Sequence, residues 1–441
     1  MKFKLDGSGP LGRAIIERDN ASLSPSYTRE YALVVDHAQG SELWDVDGKR
    51  YIDFMAGVAV LNVGHRHPAV VEAVSEQIDK FWHICLSDFF YPQAVELAEK
   101  LQAIAPMSDT KVYLANSGTE AVESAIKLAM YKTGRSKFIG FLGAFHGRTL
   151  GSLSFTASKA VQRAKYKSGV HVQHIPYPNP YRPLLAPLNG ELQSDTVIRY
   201  LKDQIFGNVI DPTDIAGILI EPIQGEGGYI VPPPAFFTQL RDLCDQHGIM
   251  LIVDEIQSGV GRTGKWWAVE HEEVEPDIVC FAKGVGSGMP VGGIIARNEH
   301  MIWGPGSHGS TYGGNPVAAA SAIATLNVIE QEGLLAKADE MGEYILSTLS
   351  EMQSHHPSLG DVRGRGLMIG MEFVKDRDTK ERAVDLRNNV IQYAFEKGLL
   401  LIPCGRNGIR MTPALNIPRH LVDDGLQIFE EALTVYEREL V

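Results

Sequence analysis

Five short apolar runs alternate with segments of helical periodicity, such as Val71–Trp82 and Ala94–Ile104, through the middle of the chain. Each run is too short for a helix and too apolar for a half-exposed strand, which indicates a strand buried on both faces. Strands that alternate with helices predict an α/β fold, with a mostly parallel sheet sandwiched by helices. Ligands of such sheets bind beyond the carboxyl ends of the strands. The runs are Lys111–Ala115, Phe138–Phe141, Ile218–Ile220, Met250–Val253 and Ile278–Phe281.

The two ends of the chain have a different pattern. Leu43–Val46 and Tyr51–Phe54 flank Asp47-Gly48 and predict a hairpin with a tight turn. The C-terminal hundred residues contain further short strands and end in an amphipathic helix over Leu421–Tyr436. A chain of 441 residues is long for a single core. We therefore expect a large domain and a small α+β domain built from both ends, with boundaries at 1–68, 69–330 and 331–441.

The formal net charge of -13 excludes whole functional classes. Nucleic-acid binding needs clustered Lys and Arg, which here are scattered and outnumbered. The chain has no run of about 18 or more apolar residues, so no membrane association is expected. Four separated cysteines and an N-terminus without an apolar segment are typical of a soluble, cytoplasmic protein with reduced thiols and no metal site.

Polar residues follow the predicted strands directly, where a ligand would bind. Ser117, Gly118 and Thr119 lie between the first strand and a helical segment. Free backbone N–H groups and the helix dipole make such a helix start an anion site. The same residues would also cap a helix without binding any ligand, and the segment alone does not decide between the two.

Asp254 and Lys283 each follow an apolar strand as well. A carboxylate at the mouth of a buried strand needs a cation or a donor, although Asp254 could instead cap a helix. A partly desolvated lysine has a lowered pKa and can attack a carbonyl, although Lys283 could also extend to water. Together with an aromatic ring at Phe145, these groups meet the needs of pyridoxal 5'-phosphate: a phosphate site, a partner for the ring nitrogen, an amine and a stacking surface.

The motifs resemble those of class III pyridoxal-phosphate aminotransferases over nearly the whole chain. The similarity is highest to 4-aminobutyrate, ornithine and acetylornithine aminotransferases, and it implies fold type I and a homodimer with shared active sites. A further dimer of dimers stays open. The segments that carry the resemblance are Asn116–Ala121, Phe145–Thr149, Glu221–Gly228, Asp254–Gly264, Ala282–Gly284 and Gly309–Pro316.

The resemblance implies a role for each residue of the cofactor site. Lys283 would form the Schiff base and move the proton, while Asp254 would pair with the ring nitrogen. Gln257 would hydrogen-bond the ring hydroxyl, and Phe145 would stack on the ring. The phosphate would be held by Ser117, Gly118 and Thr119, and by Thr311 from the other subunit.

The resemblance also implies the substrate residues. Arg410 would bind a substrate carboxylate, and Glu226 would pair with Arg410 when the substrate has no carboxylate there. Arg148 would bind the distal carboxylate of an ω-amino acid, although it could be a surface arginine in a Gly-rich turn. Val58 would be an apolar neighbour of the substrate.

Three functions compete on this evidence. The first is transfer of an amino group from an ω-amino acid to 2-oxoglutarate. The second is an amino-acid racemase on the same scaffold, because the segment Ser24–Arg29 resembles that of family members with racemase activity. The third is a nicotinamide-dependent dehydrogenase, suggested only by the glycines of Gly284–Gly288, which lead into Met289-Pro290 and not into a helix. A substrate-channel role and a core role both stay open for Trp82, His83, Phe89 and Phe90.

Overall fold

A seven-stranded sheet forms the centre of the computed structural model, which describes residues 8–167, 169–188 and 190–438. One strand, Gly292–Arg297, runs antiparallel to both of its neighbours, and every other adjacent pair is parallel. The predicted α/β fold with a mostly parallel sheet is therefore confirmed. In spatial order the strands are Thr110–Ala115, Gly292–Arg297, Ile278–Phe281, Met250–Asp254, Ile215–Ile220, Lys137–Phe141 and His171–Ile175.

Two of these strands were not predicted. Gly292–Arg297 begins with two glycines, which have low strand propensity. The glycine at 292 is needed because a Cβ there would lie 2.7 Å from the carbonyl oxygen of Ser117. The second missed strand, His171–Ile175, is the edge strand of the sheet.

Helices pack on both faces of this sheet and in the lobe formed by the chain ends. Several begin with proline at the first helical position, where no N–H bond is lost. No helix in the described part of the chain has the length and apolarity to cross a membrane. The α-helices are Pro10–Ser22, Ala56–Ala59, Pro68–Lys80, Pro92–Ala103, Gly118–Thr133, Leu150–Phe155, Ala160–Arg163, Gln193–Tyr200, Phe236–His247, Pro316–Gln331, Leu334–His355, Val384–Lys397 and Arg419–Glu437.

The two chain ends meet in a second sheet. Its predicted hairpin is present as Glu42–Asp45 and Arg50–Asp53, although residues 46–49 make a wider turn than predicted, with Gly48 at φ +90°. Arg50–Asp53 pairs in parallel with Leu399–Leu400, so the N-terminal and C-terminal segments share hydrogen bonds. A third, antiparallel sheet contains Leu359–Arg365, Met368–Asp376, Glu381–Arg382, Ile402–Cys404 and Gly408–Met411.

Candidate active site

A cavity of about 490 Å³ lies at the carboxyl ends of the central strands. This is the edge at which the strand pattern predicted ligand binding. Polar segments from five separate parts of the chain line it, because parallel strands end at the same edge. The predicted site residues on its wall are Ser117, Gly118, Thr119, Phe145, Arg148, Asp254, Gln257 and Lys283.

The helix Gly118–Thr133 begins at this cavity. Ser117 caps it by accepting a hydrogen bond from the backbone N–H of Glu120 at 3.4 Å, so the capping reading is correct. Capping leaves other N–H groups of the first turn without intrahelical partners. A Cβ on Gly118 would lie 2.9 Å from the Ile256 side chain, which explains why glycine occupies this position. The helix start is thus both capped and available to an anion.

Asp254 is the last residue of its strand, and its carboxylate is only 4% exposed. Its Oδ1 accepts a hydrogen bond from the N–H of Ile256 at 3.0 Å, and its Oδ2 lies 2.6 Å from Nδ1 of the buried His146. Burial alone would lower the pKa of His146, but the hydrogen bond and charge of Asp254 raise it overall. His146 thus fixes the position of the Asp254 carboxylate, and the sequence did not reveal this pairing.

Glu221 is a second buried carboxyl group on the cavity wall, directly after the strand Ile215–Ile220. It accepts hydrogen bonds from the backbone N–H groups of Gly225, at 3.0 Å, and Phe145, at 3.4 Å. Burial raises its pKa to about 7 despite the neighbouring His146. Its position after a buried strand, which is also that of Asp254, was a signal in the sequence that could have identified it.

Lys283 follows the strand Ile278–Phe281 and lies opposite these acids. Its backbone has a left-handed φ of +46°, uncommon for a residue other than glycine and typical of functional turns. Burial and the charge of Arg410 lower its pKa, against the effect of Asp254 and the glutamates. The lowered pKa increases the share of neutral amine, the form that attacks carbonyl groups.

Arg410 lies next to the cavity, on the strand Gly408–Met411. Its Nη2 is 2.5 Å from Oε1 of Glu226, and its Nη1 donates to Oε1 of Gln257 at 3.2 Å. Burial opposes both charges, but their mutual attraction raises the pKa of Arg410 and lowers that of Glu226. Tyr229 packs its ring 5.6 Å from the guanidinium carbon, so Arg410 is held in one orientation.

The orientation of the Gln257 amide follows from these contacts. Arginine can only donate hydrogen bonds, so the Gln257 atom that faces Arg410 must be the oxygen. The hydroxyl of Tyr229 donates to the same oxygen at 2.6 Å. The Nε2 group of Gln257 is therefore the end available to a ligand acceptor.

Four of the predicted site residues do not line this cavity in the described part of the chain: Val58, Glu226, Thr311 and Arg410. The segment at Val58 has left-handed backbone angles at Gly57 and Val58, and this turn brings Val60, not Val58, to the wall. The placement of Val58 beside the substrate stays a prediction. Thr311 is exposed and does not line the cavity of the single chain.

The four residues for which a substrate-channel role and a core role were both possible lie on the surface. Trp82, His83, Phe89 and Phe90 are all exposed in the single chain, which rules out a role in its core. The His83 ring lies 4.9 Å from that of Tyr312, next to Thr311. Exposed aromatic side chains in one region are typical of an interaction surface.

Comparisons with known proteins identify the family. The model of the class III aminotransferases matches residues 24–433, so the chain belongs to that family. An alanine/serine racemase of Pyrococcus horikoshii is 40% identical over 98% of this chain and 92% of its own length. A 5-aminovalerate aminotransferase of Pseudomonas aeruginosa is 41% identical over 95% and 97%.

A solved structure gives the same result. The taurine:2-oxoglutarate aminotransferase of Bifidobacterium kashiwanohense, in complex with pyridoxal phosphate and glutamate, matches with a TM-score of 0.90 and 27% identity. The match covers 98% of this chain and 99% of that one. The chain is thus a pyridoxal-phosphate-dependent enzyme with an aminotransferase fold of type I.

Proposed function

We propose that this enzyme transfers the amino group of an ω-amino acid to 2-oxoglutarate. The observation that carries the proposal is the buried pair of Arg410 and Glu226 beside Lys283. A fixed arginine fork binds a substrate carboxylate, and a neighbouring glutamate can occupy that fork when the substrate has no carboxylate there. Two unlike substrates can then use one site in turn. The relative that acts on 5-aminovalerate supports an ω-amino donor.

The residues of the cavity fit the cofactor of the family. The helix start at Ser117, Gly118 and Thr119 suits a phosphate, and Asp254 suits a protonated ring nitrogen. The free Nε2 of Gln257 suits the ring hydroxyl, and the Phe145 ring offers a stacking surface. When bound, pyridoxal phosphate supplies an aldehyde for covalent attachment and a ring that withdraws electrons from the substrate carbon.

Lys283 is the group we assign to covalent attachment and to proton movement at the substrate carbon. Its burial and the charge of Arg410 keep more of the amine neutral than in water, as a nucleophile and a base require. Asp254, hydrogen-bonded to His146, would pair with the ring nitrogen. Arg148, exposed at the rim with its guanidinium carbon 5.9 Å from the centre of the Phe145 ring, would bind the distal carboxylate of the donor.

We further propose that the enzyme works as a homodimer in which Thr311 completes the phosphate site of the partner. The support is that Thr311 lies outside the cavity of its own chain, near a group of exposed aromatic side chains. A second copy that covers these rings would remove them from water and would bring a hydroxyl to each phosphate.

A panel of amino donors tests the proposed reaction. Purified enzyme is mixed with 5-aminovalerate, 4-aminobutyrate, ornithine or leucine, and glutamate formed from 2-oxoglutarate is measured. We expect glutamate with at least one ω-amino acid and a loss of visible cofactor absorption when that donor is added alone. No glutamate with any donor, from an enzyme that carries the cofactor, would exclude the proposal.

Racemisation is the second candidate, because a racemase is 40% identical over almost the whole chain. Chiral chromatography of one amino acid without any keto acid separates the two functions. Interconversion of the D and L forms of alanine, serine or leucine favours racemisation. Inertness until 2-oxoglutarate is added favours transfer.

A further inference from the structure

A second cavity lies beside the active site and carries a concentration of positive charge. It has a volume of about 440 Å³, and no residue on its wall also lines the cofactor cavity. Four arginines face two glutamates on its wall, in a chain whose overall charge is -13. We call it the arginine cavity and define it by Arg182, Arg363, Arg382 and Arg406.

Both glutamates on this wall are already paired. Glu226 holds Arg410 at 2.5 Å. Glu372 pairs with Nε of Arg182 and lies 3.5 Å from Nη1 of Arg363. Arg363 also donates to the carbonyl oxygen of Gly228 at 2.6 Å, so it supports the chain segment that carries Glu226. The two glutamates therefore do not neutralise the charges of Arg382 and Arg406.

Positive charge remains on the other side of the cavity. Within the described residues, no carboxylate lies within 4.0 Å of the guanidinium of Arg382 or Arg406. The Nη2 group of Arg182 is buried and has no hydrogen-bond partner among the residues that the structure describes. Burial and the charges of Arg182 and Arg406 lower the pKa of Arg382. The side chains of Arg382 and Arg406 are exposed to water, but the buried Nη2 of Arg182 lacks an acceptor among the described residues, and the neighbouring positive charges repel one another. An anion between them would satisfy the donor and relieve the repulsion.

Another cavity shows the contrast. It measures about 800 Å³ and contains Arg241 and Arg297, but these share the carboxylate of Asp277 at 2.8 and 3.8 Å. Six acidic residues line its wall, so an added anion would meet repulsion there. The arginine cavity therefore differs from this one by its unpaired positive charges and by a buried hydrogen-bond donor without an acceptor, and not by its volume.

We propose that the arginine cavity binds a small dianion, either a phosphate group or a dicarboxylate, at a site that is separate from the cofactor cavity and borders the substrate pair through Glu226. Planar guanidinium groups bind both kinds of anion through paired hydrogen bonds. The volume lies within the range typical of small-molecule sites. This site goes beyond the proposed amino transfer and does not depend on it.

Calorimetric titration of the holoenzyme with inorganic phosphate and, separately, with succinate tests the site. Ionic strength is held constant with chloride. We expect saturable binding of at least one anion, with one site per chain, and at least about a tenfold weaker affinity in the R382Q/R406Q variant. Phosphate alone would identify a phosphate site, and succinate alone a dicarboxylate site.

Two further variants make the test specific. R18Q/R438Q removes the same charge from two exposed arginines that do not line the cavity, and we expect its affinity to stay within about twofold of the parent. R410Q tests whether the anion binds in the substrate site instead. The proposal is overturned if neither anion binds the parent, if R382Q/R406Q binds as tightly as the parent, or if only R410Q loses binding.

Discussion

The two edges of the central sheet differ in how their buried ionisable groups are surrounded: one edge favours the charged form of its carboxyl group, and the other disfavours the charged forms of its groups. At the amino ends of the strands, Asp277 accepts hydrogen bonds from Arg241 at 2.8 Å and from the N–H of Leu251 at 2.7 Å, and it lies 3.2 Å from His300. Burial would raise the pKa of Asp277, but these partners lower it. At the carboxyl ends, burial raises the pKa of Glu221 to about 7 and lowers that of Lys283.

This difference in surroundings distinguishes a charged group that stabilises the fold from groups of a reactive site. Asp277 has all its partners within the chain, so its charge stabilises the fold. Glu221 and Lys283 are held in electrostatic environments that disfavour their charged forms, a common property of reactive sites. Four variants test this distinction, from the largest expected effect to the smallest.

Replacing Lys283 by alanine tests the carboxyl-end edge most severely. We expect turnover to fall by at least about a thousandfold, because the same amine attaches the cofactor and moves the proton. The matched control is Lys132→Ala at the amino-end edge, where Nζ donates to the carbonyl oxygen of Glu299. Steady-state kinetics should show near-normal turnover for the control. Comparable losses in both variants would remove the distinction between the edges.

Asp277→Ala tests the amino-end edge. Removing one partner of a buried ion pair leaves the others uncompensated, so we expect about 3 to 5 kcal/mol less stability in chemical denaturation. The control Asp245→Ala removes a mostly exposed partner of the same Arg241 and should cost less than about 1 kcal/mol. Equal effects of the two substitutions would show that Asp277 is not a structural centre.

Arg410→Lys tests whether the planar guanidinium at the carboxyl-end edge binds the substrate carboxylate. Lysine keeps the charge opposite Glu226 but loses the planar fork, so we expect kcat/KM for glutamate to fall about ten- to a hundredfold. The visible absorption of the bound cofactor should persist, because Arg410 lies outside the cofactor cavity. An unchanged kcat/KM for glutamate would exclude Arg410 from carboxylate binding.

Glu221→Gln should produce the smallest effect, and one that depends on pH. The raised pKa means that the folded state binds this proton more tightly than the unfolded state does, so the stabilisation is complete below about pH 4.5 and is lost as the pH rises through about 7. Glutamine imitates the protonated form. We expect the variant to match the parent near about pH 4 and to exceed its stability, by at most about 3 kcal/mol, near about pH 8. The opposite trend in thermal unfolding would contradict the raised pKa.

The sequence predicted the fold well where strands are apolar and continuous. Met250–Asp254 and Ile278–Phe281 were located almost to the residue, because burial on both faces demands apolar side chains. The strand Gly292–Arg297 was missed because the close approach of Ser117 requires glycine there. The domain boundaries stay a prediction.

The site was predicted less completely. The cluster of Asp254, Gln257 and Lys283 at one edge follows from the parallel topology. Asp254 and Gln257 are oriented by His146 and Tyr229, which come from distant segments, so these contacts arise only in the folded chain. The left-handed backbone angles at 57 and 58 are not visible in the residue types, so the sequence did not show that Val60 lines the cavity.

Chemical trapping of the cofactor tests the central claim most directly. The purified holoenzyme is reduced with borohydride, which makes the bond between pyridoxal phosphate and a lysine permanent, and its peptides are mapped by mass spectrometry. We predict that the modification lies on Lys283, at the carboxyl-end edge of the sheet. A modification on another lysine, with Lys283 unmodified, would contradict the assignment of this edge as the catalytic site.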